Sequence, residues 1–587
     1  MAIKKLPETD VVLLGVGLVG TILGRELTRA GLNVVGLERG EPRATVPDFQ
    51  GPQMHDELRY SVRKALMQDN TRETITFRNN SAQRALPLRR WQGFLPGTGL
   101  GGSAVHWNGQ TYRFQDSDFQ MATRTRQRYG EQFMQGLQIQ DWGVTAQELE
   151  PHYDRFEYLL GVCGKAGNLQ GRKQEGGNPF EDVRSREYPN PPQKEPYGSA
   201  LFRKAAASLG YHPFPQPSSN MSRPYTNPEG MTLQTCMFCG FCERYGCEHF
   251  AKSSPQTILL PVLLQDKRFT LRTQCQVLRI NLDSSGKEAT GVTDVDASGR
   301  EFEQPARLVI VGMFALNNVR MLLLSKIGKP YDPQTRQGVI GRNYAYQTMG
   351  SVNVFYDQNT RINPFMRSGA NGTVIADFVS DNFDHSQLGF VGGAYIGEVM
   401  SHGRPIEFHP VPPGTPSWGS EWKKAVVRHY NHTCSLGVHG SSVAVRQNYL
   451  DLDPTYKDAW GLPLLRMTFD FPENDLKMSA YVTGKAGDIG RAMGGQQVQV
   501  SPRKGPYTTT QYQTTHNTGG TIMGTDRATS AVNPYLQSWD VHNVFVIGAS
   551  SFPQNASYNP TGTVGALAYR AADAIVKQYM KNPGPLV

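Results

Sequence analysis

Long hydrophobic runs are missing from this sequence. No stretch approaches the roughly 18 uninterrupted apolar residues of a membrane-spanning helix. The first ten residues, MAIKKLPETD, contain neither the apolar core of a signal peptide nor a twin-arginine signal. We therefore expect a soluble, intracellular chain that reaches a membrane only through a partner protein.

Basic tracts are missing as well. The net charge is +9, but the Lys and Arg residues are scattered and form no basic helix or aromatic–basic stripe. This argues against nucleic-acid binding. A positive field suits an anionic substrate or an acidic partner, and a merely soluble basic surface explains it equally well. With 38% hydrophobic and 19% charged residues, the 587-residue chain is globular and long enough for two or three domains.

Cysteine is scarce and concentrated in one place. Four of the seven cysteines lie within a dozen residues: Cys236, Cys239, Cys242 and Cys247. This distribution excludes a disulfide framework and indicates a metal-type cluster. The C-x2-C-x2-C-x4-C spacing is close to that of ferredoxins, so we predict an iron–sulfur cluster of three or four irons. Tetrahedral zinc and unliganded thiols are the alternatives.

A βαβ unit opens the chain. Residues 10–14 and 34–37 are predicted as buried strands, residues 18–30 as a helix, and GVGLVG at 15–20 connects them. Gly15 would allow the tight turn, Gly17 the approach of a pyrophosphate and Gly20 close helix–strand packing. Glu38 follows Gly20 by 18 residues and can accept hydrogen bonds from a ribose. The pattern predicts dinucleotide binding rather than a simple glycine-rich turn, without distinguishing FAD from NAD.

The remaining patterns indicate an α/β fold, α+β overall. Apolar strands at 307–311 and 544–547 and helical spacing at 563–579 extend the parallel sheet, whereas 345–505 alternates as an antiparallel sheet does. We predict a discontinuous Rossmann-like domain of residues 1–130, 231–345 and 505–587, with the cysteine-rich insertion at about 231–255. A loop-rich and helical connecting region covers 131–230, and an antiparallel-sheet substrate-binding domain covers 346–504.

Three further segments resemble one known family. They are GLGGSAVHWN at 99–108, THNTGGT at 515–521, and GAS at 548–550 followed by NPTGT at 559–563 and AAD at 571–573. In this order they resemble the second flavin loop, the catalytic histidine segment and the C-terminal flavin motif of the glucose–methanol–choline (GMC) oxidoreductases. Within that family the chain is most similar to the large subunits of membrane-associated bacterial sugar and sugar-acid dehydrogenases. The residues MFA at 313–315 depart from the small residues usual in the family.

The resemblance implies an FAD cofactor held across both ends of the chain. Besides Gly15, Gly17, Gly20 and Glu38, the FAD-binding residues it implies are Gly101, Gly102, Ser103, His106, Asn108, Val277, Gly548, Ala549, Pro560 and Thr561. It also implies a covalent bond from His106 to the flavin. A histidine that lies beside the ring without a bond is the alternative.

The same resemblance assigns the catalytic residues. Alcohol oxidation requires removal of a hydroxyl proton and transfer of a hydride to flavin N5. His516 would be the base, because a neutral imidazole with a pKa near 6.5 suits that task. Asn559 would hold the same hydroxyl and so position the carbon for reaction. A structural histidine in a polar loop is the alternative.

The implied activity is oxidation of a secondary alcohol of a sugar acid or sugar, with D-gluconate to 2-keto-D-gluconate as the leading reaction. The iron–sulfur cluster would pass electrons to a multihaem cytochrome c subunit. A small subunit carrying the export signal would bring the chain to the periplasmic face of the inner membrane, and a cytoplasmic location is the alternative.

Other functions remain open at this point. A 2-ketogluconate, fructose or polyol dehydrogenase of the same build is one alternative, and an oxygen-using oxidase or a non-catalytic electron-transfer protein are others. Substrate specificity is expected to come from 346–504, with contributions near Tyr112, Arg113 and Tyr558.

Overall fold

The structure is a computed structural model that describes residues 3–50, 57–89, 93–398, 403–510 and 512–586. Its strands are β1 (Lys4–Lys5), β2 (Thr9–Leu14), β3 (Val34–Leu37), β4 (Ile75–Arg78), β5 (Leu86–Pro87), β6 (Asn168–Leu169), β7 (Arg172–Lys173), β8 (Phe214–Pro215), β9 (Tyr225–Thr226), β10 (Thr232–Leu233), β11 (Phe269–Arg272), β12 (Cys275–Leu282), β13 (Ala289–Asp296), β14 (Glu301–Val311), β15 (Arg342–Tyr346), β16 (Thr348–Phe355), β17 (Thr373–Ile375), β18 (Ala394–Glu398), β19 (Thr433–Gly440), β20 (Tyr449–Lys457), β21 (Pro463–Thr468), β22 (Gln497–Ser501), β23 (Asn517–Gly520) and β24 (Val544–Val546).

The helices are α1 (Leu18–Arg29), α2 (Thr45–Asp48), α3 (Asp116–Phe119), α4 (Met121–Tyr129), α5 (Ala146–Leu160), α6 (Tyr197–Ser208), α7 (Pro255–Ile258), α8 (Leu260–Leu264), α9 (Ala315–Ser325), α10 (Ser420–His429), α11 (Glu473–Ala492) and α12 (Thr561–Ala574). Short 3₁₀ turns occupy Gly102–Val105, Glu131–Met134, Tyr430–His432 and Ala549–Ser551, and π turns occupy Leu58–Val62 and Ile575–Tyr579.

The first sheet is the predicted nucleotide-binding sheet. Its strand order is β11-β3-β2-β14-β13-β12, and β1 and β24 also pair with β14. The pairs among β11, β3, β2, β14 and β24 are parallel, and β2 reaches β3 through α1. Residues Val11, Val12, Leu13 and Leu14 of β2 are all buried, as expected for a strand covered on both faces. The predicted α/β class and opening βαβ unit are confirmed.

The end of the chain returns to its beginning. Strand β24 pairs with β14 on the edge opposite β2, and α12 packs against α1 and α5. Helix α12 is rich in small buried residues, including Gly565, Ala568 and Ala572, which allow close approach of the neighbouring helices. The two ends of the chain therefore meet in one layer.

The second sheet is antiparallel and has the order β22-β16-β19-β18-β17-β8. Helix α11 packs on it and buries Met478, Val482, Ala486 and Ile489, whose helical spacing places them on one face. The predicted antiparallel sheet is present, and it recruits β8 from the region before residue 346. A further sheet joins β20 and β21 to β4 and β5.

The helices in the described part of the chain are short or carry many polar residues on their surfaces. None of its helices combines the length and apolar character that a bilayer crossing requires.

Candidate active site

A cavity of about 350 Å³ is lined by residues of both large sheets. The first sheet contributes the loops that follow β2, β3, β14 and β24, and the second sheet contributes Met349 of β16 and His439 of β19. Residues 102–104, 106–108, 512–517 and 559–561 also contribute to the lining. Ligands in sheets of this kind bind beyond the carboxyl ends of the parallel strands, which is where this cavity lies.

The glycine loop forms one end of the cavity. Gly15 has φ +89°, and a Cβ there would lie 2.8 Å from the carbonyl oxygen of Gly312. A Cβ at Gly20 would lie 2.1 Å from the carbonyl oxygen of Gly15, so the helix packs directly on the turn. The N-terminus of α1 has no capping side chain and no acidic residue in its first turn. Its free N–H groups fit a pyrophosphate.

Glu38 lies at the end of β3 and lines the same cavity. Its carboxylate accepts hydrogen bonds from the backbone N–H of Val16 (3.1 Å) and of Gly40 (2.9 Å). Burial raises the pKa of this carboxyl. The side chain thus ties the glycine loop to β3, and the chemistry of a buried acceptor at this point fits the ribose of a dinucleotide.

The second glycine-rich loop approaches the first. Gly101 and Gly102 have φ of +93° and +58°, which permits the sharp turn into Gly102–Val105. His106 is buried, and its Nε2 lies 3.2 Å from the carbonyl oxygen of Leu95, to which it would donate. Nδ1 has no hydrogen-bond partner among the described residues. Burial lowers the pKa of His106 to about 3, so the ring is neutral.

Most of the predicted FAD-binding residues line this one cavity: Gly15, Gly17, Glu38, Gly102, Ser103, His106, Asn108, Val277, Gly548, Ala549, Pro560 and Thr561. Gly20 and Gly101 lie behind the lining, where they serve packing and turn geometry. Two glycine-rich loops, an uncapped helix N-terminus and a buried ribose acceptor together fit an extended dinucleotide such as FAD.

His516 and Asn559 come together at the other end of the cavity. Nδ2 of Asn559 lies 3.4 Å from Nε2 of His516. His516 is placed just before β23 and Asn559 just before α12, and both line the cavity. The hydroxyl of Tyr395 on β18 donates to Oδ1 of Asn559 (2.9 Å), which turns the amide nitrogen toward the histidine.

Gln347, which the sequence did not single out, determines which ring nitrogen of His516 carries the proton. Its Nε2 donates to the carbonyl oxygen of Ser557 (2.8 Å), so its Oε1 must face the other way. That oxygen lies 2.5 Å from Nδ1 of His516, and an amide oxygen can only accept. Nδ1 therefore carries the proton, and Nε2 is left unprotonated toward the cavity, with Nδ2 of Asn559 at 3.4 Å. No sequence pattern marks Gln347, which lies in the short link between β15 and β16.

The electrostatic environment keeps His516 neutral. Burial, and secondarily the nearby His439, lower the pKa of His516 to about 3. A neutral imidazole whose Nδ1–H is hydrogen-bonded and whose Nε2 is unprotonated has the arrangement of a general base. The amide of Asn559 is placed to donate to an oxygen bound between the two side chains.

Phe314 marks the turn where the sequence departs from the family's small residues. It has φ +90°, a conformation unusual for a bulky residue, and lines the cavity just before α9. Asn318 stabilises the turn by accepting the N–H of Met313 (2.8 Å) and donating to the carbonyl oxygen of Ile547 (3.2 Å). The turn after β14 is thereby joined to the end of β24.

The cysteine-rich loop lies beside the second glycine-rich loop. Buried Lys252 donates to the carbonyl oxygens of Trp107 (2.7 Å) and Cys242 (2.8 Å), and so joins the two loops. Burial raises the pKa of Cys242 well above that of a free thiol, and it also raises the pKa of Cys236 to about 12 and that of Cys239. Within the described ranges, no three His, Cys, Asp or Glu side chains are grouped as ligands of a metal ion.

Tyr112, Arg113 and Tyr558 lie outside the lining of the main cavity and border a smaller pocket. Tyr112 and Tyr558 stack with ring centroids 4.5 Å apart. Arg113 is held by Glu157, with Nε and Nη2 each 2.8 Å from a carboxylate oxygen. These contacts commit the three side chains to packing. Tyr395, which hydrogen-bonds to Asn559, and His439, which stacks on Tyr395, lie near the His516–Asn559 pair instead.

Comparison with known proteins places these features in context. The sequence matches the GMC oxidoreductase family over residues 121–349 and 444–568. It is 49% identical to the gluconate 2-dehydrogenase flavoprotein of Pantoea cypripedii, over 100% of this chain and 96% of that protein. It is 24% identical to the fructose dehydrogenase large subunit of Gluconobacter japonicus, over 97% and 98% of the two chains. The fold is similar to that of pyridoxine 4-oxidase from Mesorbium loti, with a TM-score of 0.59, 16% identity, and 98% and 100% coverage.

Proposed function

The chain belongs to the GMC oxidoreductase family, as an FAD-dependent oxidoreductase of alcohol or sugar groups, and we propose that it oxidises a sugar acid, D-gluconate, to 2-keto-D-gluconate. The observation that carries the proposal is the full-length similarity to a gluconate 2-dehydrogenase flavoprotein in a chain that retains the His516–Asn559 pair. The positive net charge suits an anionic substrate.

His516 and Asn559 would act on one hydroxyl group. Nε2 of His516 accepts the hydroxyl proton, because Gln347 holds the proton of the imidazole on Nδ1. The amide of Asn559 donates to the same oxygen and so fixes the orientation of the carbon that bears it. FAD bound in the cavity would supply the acceptor for the hydride that leaves this carbon.

The substrate proposal is tested by turnover with an artificial electron acceptor. We expect D-gluconate to be oxidised with a higher kcat/KM than 2-keto-D-gluconate, D-fructose, D-sorbitol or D-glucose. The similarity to a fructose dehydrogenase large subunit makes D-fructose the principal competitor. A preference for any neutral sugar would refute the sugar-acid assignment and keep the enzyme class. Rapid formation of peroxide in air would instead favour an oxidase.

The same cavity would hold the cofactor, with His106 as the residue for covalent attachment. Its Nε2 is engaged by the carbonyl of Leu95, which leaves Nδ1 as the ring nitrogen with a free lone pair. We expect the flavin to remain with the protein after acid precipitation, and His106→Ala to release it. Release from the unaltered protein would contradict covalent attachment.

Cys236, Cys239, Cys242 and Cys247 would bind an iron–sulfur cluster. Thiolates are the ligands such clusters prefer, and the four thiols lie in one loop next to the cofactor cavity. Their side chains are not grouped as a ligand set among the described residues, so we assign the cluster no part in the steps above. Stoichiometric iron and acid-labile sulfide in the purified protein would support the cluster, and stoichiometric zinc would contradict it.

The electron acceptor would be a multihaem cytochrome c subunit, and a small subunit carrying an export signal would accompany the chain to the periplasmic face of the inner membrane. Similarity to a large subunit of another dehydrogenase supports a multi-subunit assembly. Affinity purification of the tagged chain from its own cells should recover both partners with the membrane fraction. Recovery from the cytosol without partners would contradict this assembly.

A further inference from the structure

The arginines that line the cavity are engaged in ion pairs. Among the described lining residues, Arg39 is paired with Glu73, Arg320 with Asp458 and Arg244 with Glu407. Nε and Nη1 of Arg244 have no hydrogen-bond partner among the described residues, but no described hydrogen bond or ion pair links any of the three arginines to His516 or Asn559. A donor that lies beside the His516–Asn559 pair is therefore better placed to bind the carboxylate of a sugar acid there.

His439 lies next to the catalytic pair and is nine-tenths buried, with 9% of its surface exposed. It lines the same cavity as His516 and Asn559. Its ring stacks on Tyr395, with centroids 4.7 Å apart and planes at 11°. The hydroxyl of Tyr395 donates a hydrogen bond to Oδ1 of Asn559. A single aromatic side chain thus joins His439 to Asn559.

The two ring nitrogens of His439 have different surroundings. Nδ1 is buried and has no hydrogen-bond partner among the described residues. The Nε2 edge lies beside Gly437, where an added Cβ would be 3.2 Å away, so the glycine leaves that edge uncovered. A buried lone pair without a partner is tolerated better than a buried N–H without one, which places the proton on Nε2. Burial lowers the pKa of His439 to about 4, so the ring stays neutral.

We propose that His439 is a substrate-binding residue, whose Nε2–H donates to a carboxylate oxygen of the sugar acid while His516 receives the proton of the neighbouring hydroxyl. This rests on the proposed function, since oxidation at C2 places the carboxylate one bond from the reacting carbon. The two histidines then have opposite roles: Nε2 of His516 accepts and Nε2 of His439 donates.

The test uses the purified holoenzyme and three variants. His439→Leu removes the donor, His439→Gln retains an N–H donor, and His152→Gln alters a half-buried histidine of α5 that lies outside the cavity lining. We measure kcat and KM for D-gluconate with an artificial acceptor, and the Kd of the product, 2-keto-D-gluconate, by titration calorimetry. Flavin content and melting temperature identify any variant that fails to fold.

We expect His439→Leu to raise KM and Kd by about tenfold to a hundredfold, as for loss of a hydrogen bond to a charged group, with a smaller change in kcat. His439→Gln should recover a large part of this loss, and His152→Gln should match the unaltered enzyme. If His439→Leu folds and binds both compounds normally, the inference is wrong. If it fails to fold, His439→Met takes its place as the variant without a donor, and normal binding of both compounds by folded His439→Met rejects the inference. Absence of D-gluconate turnover by the unaltered enzyme would refute the proposed function itself.

Discussion

One buried amide behind His516, the proposed base, determines which nitrogen of the imidazole is basic. Gln347 is fully buried, donates to Ser557 and accepts from Nδ1 of His516. Gln347 is not among the residues that line the cavity, so it would act on a substrate only through the imidazole. The catalytic residue and the residue that positions it are separated by a long stretch of sequence, which is why the motif around His516 does not reveal the pair.

Replacing Gln347 by Leu should lower kcat by about 10- to 100-fold with little change in KM, because the imidazole loses the acceptor that fixes its tautomer and orientation. Gln347→Glu is the matched variant. It keeps an acceptor but adds a negative charge, which raises the pKa of His516 and moves the acid limb of the pH–rate profile to higher pH. Equal pH profiles for Gln347→Glu and the unaltered enzyme would contradict this role.

The lowered pKa of His516 also predicts the pH dependence of catalysis. With a pKa of about 3, the imidazole stays unprotonated as the pH falls below its ordinary value of about 6.5. We expect kcat/KM to show no loss due to this group between pH 8 and pH 5. The measurement is a pH profile with the flavin content checked at each point. An acid limb centred near pH 6.5 that disappears in His516→Gln would show that the base is not held neutral by burial.

At the level of elements, the connection between β2 and α1 is as tight as the glycine pattern predicts. Gly20→Ala would place a methyl group 2.1 Å from the carbonyl oxygen of Gly15 and must displace the loop. We expect this variant to lose its FAD, measured as flavin absorbance per protein after gel filtration. Gly31, at the other end of α1, is the control. It has φ +92° and open space around it, so Gly31→Ala should keep FAD and lose only about 1–2 kcal/mol of stability.

The same elements show what sequence periodicity can predict. The expected strand at 10–14 and helix at 18–30 correspond to β2 (Thr9–Leu14) and α1 (Leu18–Arg29), and the expected helix at 563–579 corresponds to α12 and the following π turn. Short-range hydrophobic patterns determine such elements. The pairing of β4 with β21 and of β8 with β17 could not be predicted in this way. It depends on contacts between distant segments, which no short-range hydrophobic pattern in the sequence records.

At the scale of the whole molecule, several buried histidines make stability depend on pH. Burial lowers the pKa of His106 and His516 to about 3 and that of His439 to about 4. In the unfolded chain these groups titrate near 6.5, so below that pH the unfolded state binds more protons than the folded state. Folding is therefore progressively destabilised as the pH falls from about 6.5 toward 4.

The contribution of one buried histidine to this pH dependence can be measured by comparing the unaltered protein with His516→Gln. Removing one buried histidine with His516→Gln should reduce the pH slope of the unfolding free energy by up to about 1.4 kcal/mol per pH unit between pH 6 and 4.5. The difference isolates the histidine from buried acids such as Asp118 and Asp475, whose pKa values burial raises to about 7 and which act in the opposite direction. Identical slopes for both proteins would contradict a histidine that is neutral only in the folded state.

The cofactor and catalytic residues were predictable to different degrees. The residues that bear motifs, such as Gly15, Gly17 and Glu38, line the cavity, because their function is encoded in a local turn. Gln347 lies between β15 and β16, whereas Tyr395 and His439 lie on the paired strands β18 and β19, and these distant segments meet near His516 only after folding. Tyr112 and Arg113 were expected near the substrate, but they lie outside the lining of the main cavity. Tyr112 stacks on Tyr558, and Arg113 forms an ion pair with Glu157.

The position of β14 in the first sheet has a consequence for synthesis on the ribosome. β2 and β3 emerge first, but β2 lies between β3 and β14, and β14 is translated about 300 residues later. At roughly 5–20 residues per second, the nascent β2 exposes an unpaired apolar edge for about 15 to 60 seconds. Slower elongation before residue 301 would lengthen the time for which this edge is exposed to aggregation.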